Sequence, residues 1–278
     1  MTLPPTLGAR IAASDRPLIG AWSCAGSATN AEIIAGSGLD VVLIDAEHSP
    51  ADLESVLAQL HAVAAYPTAP LVRPPFGDTV TLKRYLDVGV QNLLVPMVES
   101  AAQAAEIVRA VRYPPLGVRG VGSALARSSR WNRVEGYLAD APSTISLFVQ
   151  IESAAAIADL DEILAVDGVD GVFFGPADLA ASMGLIGQQE HPDVVAAVVA
   201  GIATASAAGT PSGVNAFAPA AADRYVAAGA ALVIVGADVA LLARGTEALA
   251  DRFIPQQRAD AAGDVDAPID VDGGRASY

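Results

Sequence analysis

Short runs of β-branched and aliphatic residues recur along this chain with Ala-rich stretches between them. That alternation narrows the folds open to it more than any other feature. The strand-like runs fall at 18–22, 40–44, 69–73, 91–95, 145–151, 171–174, 212–217 and 231–235. Helical patterns occupy 28–37, 51–64, 80–88, 101–111, 154–164, 192–208, 220–228 and 237–251. Several strand runs are apolar at consecutive positions, as expected when both faces of a sheet are buried. Eight strand–helix units point to one (β/α)8 barrel domain over residues 1–254. An open doubly wound sheet would call for a Gly-rich phosphate loop after the first strand, and the segment from Trp22 to Ser27 is a poor one.

Two segments stand outside the alternation. Residues 112–140 form a long, Arg-rich connection between the fourth and fifth strand runs, and a loop of that length in a compact domain is usually functional or an oligomer contact. Residues 255–278 are rich in Asp and Gly with few large apolar side chains, which predicts a loosely ordered acidic tail.

Charge and cysteine usage exclude some functions. Sixteen Lys and Arg against thirty-one Asp and Glu give a net charge of −15, a field that repels nucleic-acid phosphates and anionic lipid. An anionic substrate therefore needs a local positive centre. The single cysteine, Cys24, excludes an intrachain disulfide and reads as a buried thiol rather than a nucleophile. The first residues lack a signal-peptide pattern and the Ala-rich run at 194–209 is too short and too weakly apolar to span a bilayer, so a cytoplasmic protein without membrane or nucleic-acid partners is expected.

In a barrel, catalytic groups collect where the strands end. Asp45, Glu47 and His48 follow the second run, Arg73 ends the third, Gln150 and Glu152 end the fifth, and Gly175, Ala177 and Asp178 follow the sixth. Taken singly, Glu152 and Asp178 are ordinary helix N-terminal charges and Arg73 an ordinary ion-pair partner. Converging on one rim, they specify chemistry. Two carboxylates without cysteine suit a hard divalent cation, with water and substrate completing its shell. Arg73 is a permanent charge suited to an oxyanion, and the amides of Gly175 and Ala177 could hold a carboxylate. His48 is a base with an ordinary pKa near neutrality, and a neighbouring Asp would raise its basicity. This set fits proton abstraction next to a carbonyl. The only lysine, Lys83, falls on the helix after the third strand, so no Schiff base is available there and enolate stabilisation has to be metal-based.

The stretches IDAEHSP, LVRPPFGD, LLVPMVES, RYPPLGVRGVGSALARSSRW, QIES and FFGPADLAASMG, in that order, resemble the HpcH/HpaI aldolases, a family of metal-dependent class II pyruvate aldolases. The resemblance implies a (β/α)8 barrel, a hexamer with exchanged C-terminal helices, and Mg²⁺, Mn²⁺ or Co²⁺. It implies His48 as proton acceptor, Arg73 as transition-state stabiliser, Asp87 as the residue that enhances the basicity of His48, and Glu152 and Asp178 as metal ligands. Gln150, Ala177 and Asp178 would contact the pyruvate moiety. Asp45 is a candidate second orienting partner for His48, while Glu47 reads either as a residue supporting the site from behind or as loop structure.

The implied reaction is reversible aldol cleavage of a 4-hydroxy-2-oxo acid to pyruvate, or hydroxypyruvate, and an aldehyde. Rivals are an oxaloacetate decarboxylase, a lyase acting on coenzyme A thioesters, and a non-catalytic ketoacid-binding barrel. Departures from the family's usual residues at Ser23, Cys24, Phe174, Asn215 and Phe217 are expected to border the acceptor part of the pocket. His61 and His191 read as structural, and Met97 and Met183 as core.

Overall fold

The computed structural model describes residues 1–254. Eight parallel strands close into a barrel in sequence order: β1 Leu18–Ser23, β2 Val41–Asp45, β3 Ala69–Arg73, β4 Asn92–Val95, β5 Ser146–Ile151, β6 Gly171–Phe174, β7 Ser212–Asn215 and β8 Leu232–Ala237. The helices are α1 Leu7–Ala12, α2 Ala28–Ala35, α3 Leu53–Val63, α4 Thr79–Asp87, α5 Ala101–Val111, α6 Tyr137–Asp140, α7 Ala154–Ala158, α8 Leu160–Leu164, α9 Pro176–Ser182, α10 Pro192–Ala207, α11 Pro219–Ala227 and α12 Asp238–Phe253. The expected barrel is the fold. The tail expected at 255–278 lies outside the described residues.

Local chemistry explains most helix starts. Ser27, Asp52, Asp78, Ser100 and Ser153 each cap a helix by accepting from a first-turn N–H, and Pro176, Pro192 and Pro219 open α9, α10 and α11. The single helix expected at 154–164 is broken into α7 and α8. Asp159 at the break accepts a hydrogen bond from the Ala101 N–H at 2.7 Å, so its side chain serves the start of α5. Helix α1 was not apparent from the sequence. It inserts Leu7 under the barrel, and Asn92 Oδ1 accepts from the Leu7 N–H at 2.7 Å.

Strand residues divide strictly by parity. Leu18, Trp22, Val41, Leu43, Ala69, Leu71, Leu94, Phe148, Phe173, Leu232 and Ile234 form the inner core, while Val42, Ile44, Val72, Leu93, Val95, Val149, Val172 and Phe174 face the helices. Both faces are buried, which is why the runs read as continuously apolar. Large and small residues alternate across the interior. The Phe148 ring fills the space over Gly171, and Phe173 that over Gly213, where an added Cβ would lie 2.5 Å from its Cδ2.

The segment 112–140 folds as two short 3₁₀ turns, Ser123–Leu125 and Arg127–Ser129, followed by α6. Arg119 within it is fully buried, stacked 4.5 Å from the Tyr113 ring and paired with Asp87 at 3.2 Å. No helix among the described residues is long and apolar enough to cross a membrane.

Gly171→Val should destabilise the fold by about 1–3 kcal/mol through overpacking against Phe148, read as a lower midpoint in denaturant unfolding. An unchanged midpoint would contradict this packing.

Candidate active site at the C-terminal rim

The inward parity of the strands carries Trp22, Asp45, Arg73, Gln150 and Asn215 to the C-terminal mouth of the barrel. Asp45 and Arg73 are register partners on adjacent strands. Arg73 is 7% exposed; its Nε donates to Asp45 Oδ1 at 2.8 Å and its Nη1 reaches Glu47 Oε2 at 3.0 Å. The guanidinium lies 4.3 Å from the centre of the Trp22 ring. That indole is held in turn, donating from Nε1 to Asn215 Oδ1 at 2.8 Å and meeting Phe173 edge-on. Burial alone would weaken Arg73 as a cation, but Asp45, Glu47 and Glu152 outweigh it and raise its pKa above the ordinary value.

Opposite Arg73 stands Glu152, buried at 4% exposure. Its Oε1 accepts from the Met97 N–H at 2.7 Å and its Oε2 from Gln150 Nε2. Gly175 lets this pair sit against the start of α9, since a Cβ there would fall 2.9 Å from Glu152 Oε2 and 3.2 Å from Gln150 Nε2. Burial pushes the Glu152 carboxyl up to about 7, and the neighbouring charges of Asp178 and Glu47 add to the rise despite the hydrogen bonds. Glu47 is also raised, by burial first, with Asp45 and Asp178 reinforcing it against Arg73 and His48. Glu47, Glu152 and Asp178 are thus close enough for their charges to act on one another. Gln150 Oε1 is buried there without a hydrogen-bond partner.

This donor set tests the expected metal. Every group offered is an oxygen acceptor, and an unpaired carbonyl beside crowded carboxylates is what a hard divalent cation would relieve. Among the described residues no three His, Cys, Asp or Glu side chains gather as a ready-made metal cluster. The residues fit a cation held by two carboxylates and completed by water and substrate.

The other expectations divide. His48 is an exposed side chain, 68% accessible, whose nearest acidic partner is Glu47, with Oε1 at 3.9 Å from Nε2. Asp45, a candidate partner for it, is instead committed to Arg73 and to the Glu47 N–H. Asp87 pairs with Arg119. Since α4 carries the chain back from the end of β3 to the start of β4, Asp87 lies at the far end of the barrel from His48 of the same chain. The Gly175 N–H donates to Ile151 O at 3.2 Å and is not free for substrate. Ala177 and Asp178 stand in the first turn of α9, where N–H groups have no intrahelical acceptor.

Several residues at the rim escaped the sequence reading. Met97, expected in the core, is 47% exposed and has φ 55°, a conformation that aims its N–H at Glu152. Glu47 pairs with Arg73, in line with the supporting role that is one of its two expected readings. Asp238 ties down the β1–α2 loop by accepting from the N–H groups of Cys24 and Ala25 and from Asn30 Nδ2. Ser23 and Phe174 do not border the pocket: Ser23 Oγ donates to Gln59 Oε1 on α3, and Phe174 packs toward Gly201 on α10. Strand parity, applied residue by residue, would have sorted these two. Burial, with Asp45 and Asp238 adding, pushes the Cys24 thiol up to about 12, in keeping with an unreactive cysteine. His191 accepts from the Asp193 N–H at the start of α10 and is structural, whereas His61 is exposed.

A closed parallel barrel with a buried arginine facing carboxylates at its C-terminal rim is the architecture of a (β/α)8-barrel enzyme. The chain belongs to the HpcH/HpaI aldolase/citrate lyase family, whose profile it matches over residues 18–245. It is 50% identical over 250 residues to the 4-hydroxy-2-oxo-heptane-1,7-dioate aldolase of Salmonella arizonae, which spans 90% of this chain and 95% of that protein. Among solved structures, a HpcH/HpaI aldolase/citrate lyase family protein of Burkholderia cenocepacia superposes with a TM-score of 0.84 at 39% identity, covering 88% of this chain and 98% of that one. The HpcH/HpaI aldolase of Desulfitobacterium hafniense gives 0.80 at 31% identity, covering 89% and 98%.

The raised Glu152 carboxyl has a consequence for stability. Folded, Glu152 keeps its proton up to about 7; unfolded, it loses it near 4.5. The folded state therefore binds more protons in that window, and the metal-free protein should lose stability as pH rises through it. Thermal unfolding of metal-free protein against pH should show a steeper fall than in Glu152→Gln. Identical slopes would show that Glu152 is not strained in this way.

Proposed function

We propose that this protein is a metal-dependent class II aldolase that reversibly cleaves 4-hydroxy-2-oxo acids to pyruvate and an aldehyde. The observation that carries the reading is Arg73, buried, permanently charged and locked between Asp45, Glu47 and Trp22, opposite Glu152 and Asp178. Glu152 and Asp178 would hold the divalent cation, Mg²⁺, Mn²⁺ or Co²⁺. When bound, that cation supplies Lewis-acid charge that lowers the cost of forming an enolate.

The chain's own groups do the rest. The Gln150 side chain and the N–H groups at the start of α9 orient the 2-oxo acid by its carboxylate end. Arg73 presents its guanidinium to the oxygen on which negative charge develops. His48, directly or through a water, takes the proton of the 4-hydroxyl group. The C3–C4 bond then breaks, its electron pair becoming the enolate of pyruvate and C4 leaving as the aldehyde. In the reverse direction the enolate attacks an aldehyde and His48 returns the proton. The half-identical relative is named for the 1,7-dioate of a heptane chain; the same substrate here would yield pyruvate and 4-oxobutanoate.

We assign the base a second subunit. Asp87 cannot support His48 within one chain, so the role implied for it requires another copy. Helix α12 supports association: Asp238 is its only buried residue, while Leu241, Leu242, Leu249 and Phe253 are exposed. A hexamer exchanging this helix would cover that face. Small-molecule substrates and the unreactive Cys24 suit a cytoplasmic setting.

With metal-loaded protein, Arg73→Ala should abolish exchange of the pyruvate C3 protons for deuterium while calorimetry still detects metal binding. Exchange at the wild-type rate would sink the assignment. Mixing inactive His48→Ala with inactive Asp87→Asn subunits, after dissociation and reassembly, should restore part of the aldol activity. No recovery in mixed oligomers would refute the shared base.

A further inference from the structure

Arg127 and Arg130 sit at the end of the barrel opposite the rim, beside the end of α4, half-buried and side by side. Neither forms an ion pair with a carboxylate among the described residues, and the charge nearest Arg127 is Arg130 itself. Their Nη1 atoms converge over Gly89, where an added Cβ would lie 2.6 Å from that of Arg127 and 3.2 Å from that of Arg130. The two are fixed by backbone carbonyls: Arg127 Nη1 donates to Val88 O at 3.1 Å and Arg130 Nη1 to Arg127 O at 2.6 Å. His61 on α3 lies close enough to feel both. Beneath them Arg130, Trp131 and Asn132 all adopt left-handed φ values, 53°, 55° and 65°. Consecutive L-residues in that region are costly and collect at ligand clamps and switch segments.

The chain has thirty-one acidic side chains against sixteen Lys and Arg, yet none among the described residues is set against this pair. Burial lowers the pKa of both guanidinium groups; Arg130 adds to the fall at Arg127, to about 10, and Tyr137 opposes it at Arg130. Among the described residues no anion answers this pair. Planar forks are suited to a carboxylate, which they can bind in bidentate fashion.

The rim has the converse deficiency. Its cation, Arg73, is occupied by Asp45 and Glu47, and Glu152 and Asp178 add further negative charge. An acceptor such as 4-oxobutanoate brings a second carboxylate, for which the rim offers no free cation among the described residues. Arg127 is anchored on Val88, the residue after Asp87, so the segment assigned to the neighbouring His48 carries the arginine pair with it.

We propose that Arg127 and Arg130 of one subunit bind the distal carboxylate of an acidic aldehyde acceptor at the active site of its neighbour. The inference rests on the aldolase reading and on Asp87 acting across subunits. It makes selection for acidic over neutral aldehydes a property of the assembled protein.

The test uses metal-loaded oligomer with pyruvate and either 4-oxobutanoate or butanal, in wild type, Arg127→Gln, Arg130→Gln and Arg127→Lys. Each glutamine variant should lower the ratio of kcat/KM for 4-oxobutanoate over butanal by about tenfold or more, mainly through KM, as expected for a lost charged hydrogen bond. Arg127→Lys should recover part of that ratio. Equal losses for both aldehydes with a reduced oligomer mass would make the arginines interface structure and overturn the proposal, as would an unchanged ratio. Where a variant fails to assemble, wild-type inhibition decides: succinate should compete with 4-oxobutanoate about tenfold more strongly than butyrate, and equal inhibition overturns the proposal. Pyruvate C3 exchange in wild type separates the two levels. Its absence defeats the aldolase reading and this inference with it, whereas its presence with an unchanged aldehyde ratio defeats the inference alone.

Discussion

Arg73 carries a full charge into the mouth of an apolar barrel, and the rim is arranged around compensating it. Desolvating a guanidinium is affordable only with excellent geometry and hydrogen bonds to its fork. Register supplies this: Asp45 is the direct neighbour of Arg73 across β2 and β3, so the ion pair forms once the barrel closes. Glu47 takes a second nitrogen, and its own N–H returns to Asp45, so one carboxylate fixes both the arginine and the loop. Trp22 then supplies a flat surface under the guanidinium, and Asn215 keeps the indole from turning. Contacts from β1, β2 and the loop after β2 therefore converge on one side chain of β3, with β7 bracing the indole. The cation is preorganised, and little rearrangement is left for the moment when negative charge appears beside it.

That same concentration leaves the rim with more negative charge than one arginine balances. Asp45 and Glu47 neutralise Arg73, after which Glu152 and Asp178 remain. Glu152 is held in this position by Gln150, Met97 and the glycine at 175, where a side chain would push it away. Its carboxyl is raised because burial removes water faster than these donors replace it. A cation held by Glu152 and Asp178, as proposed above, would relieve that repulsion. The family's chemistry thus has an electrostatic basis within this chain.

The barrel was legible because period-two and period-3.6 patterns alternate along the whole chain, and the capping residues mark where helices begin. The rim residues were legible because His48, Arg73, Glu152 and Asp178 follow strand-like runs directly. Their mutual contacts were not, because a hydrogen bond between neighbouring strands depends on register, which no single segment encodes. Asp45 looked like a partner for His48 when judged by sequence distance, but parity turns it inward to Arg73. Met97 resembled core in composition; a left-handed backbone exposes it, and nothing local announces that conformation. Helix α1 was too short to give a periodic signal, and Asp159 interrupts a helical pattern only because α5 lies nearby to receive its side chain.

What one chain lacks is as informative as what it holds. His48 is exposed, with Glu47 its ion-pair partner among the described residues, Asp87 faces Arg119 at the other end of the barrel, and α12 presents apolar side chains to water. A solvated imidazole is weakly oriented, and exposed leucines favour association. The second copy proposed above would complete each of them, and covering the apolar face of α12 would favour its recruitment. Assembly and catalysis would then be coupled, since dilution that separates the subunits would also remove the partner of the base.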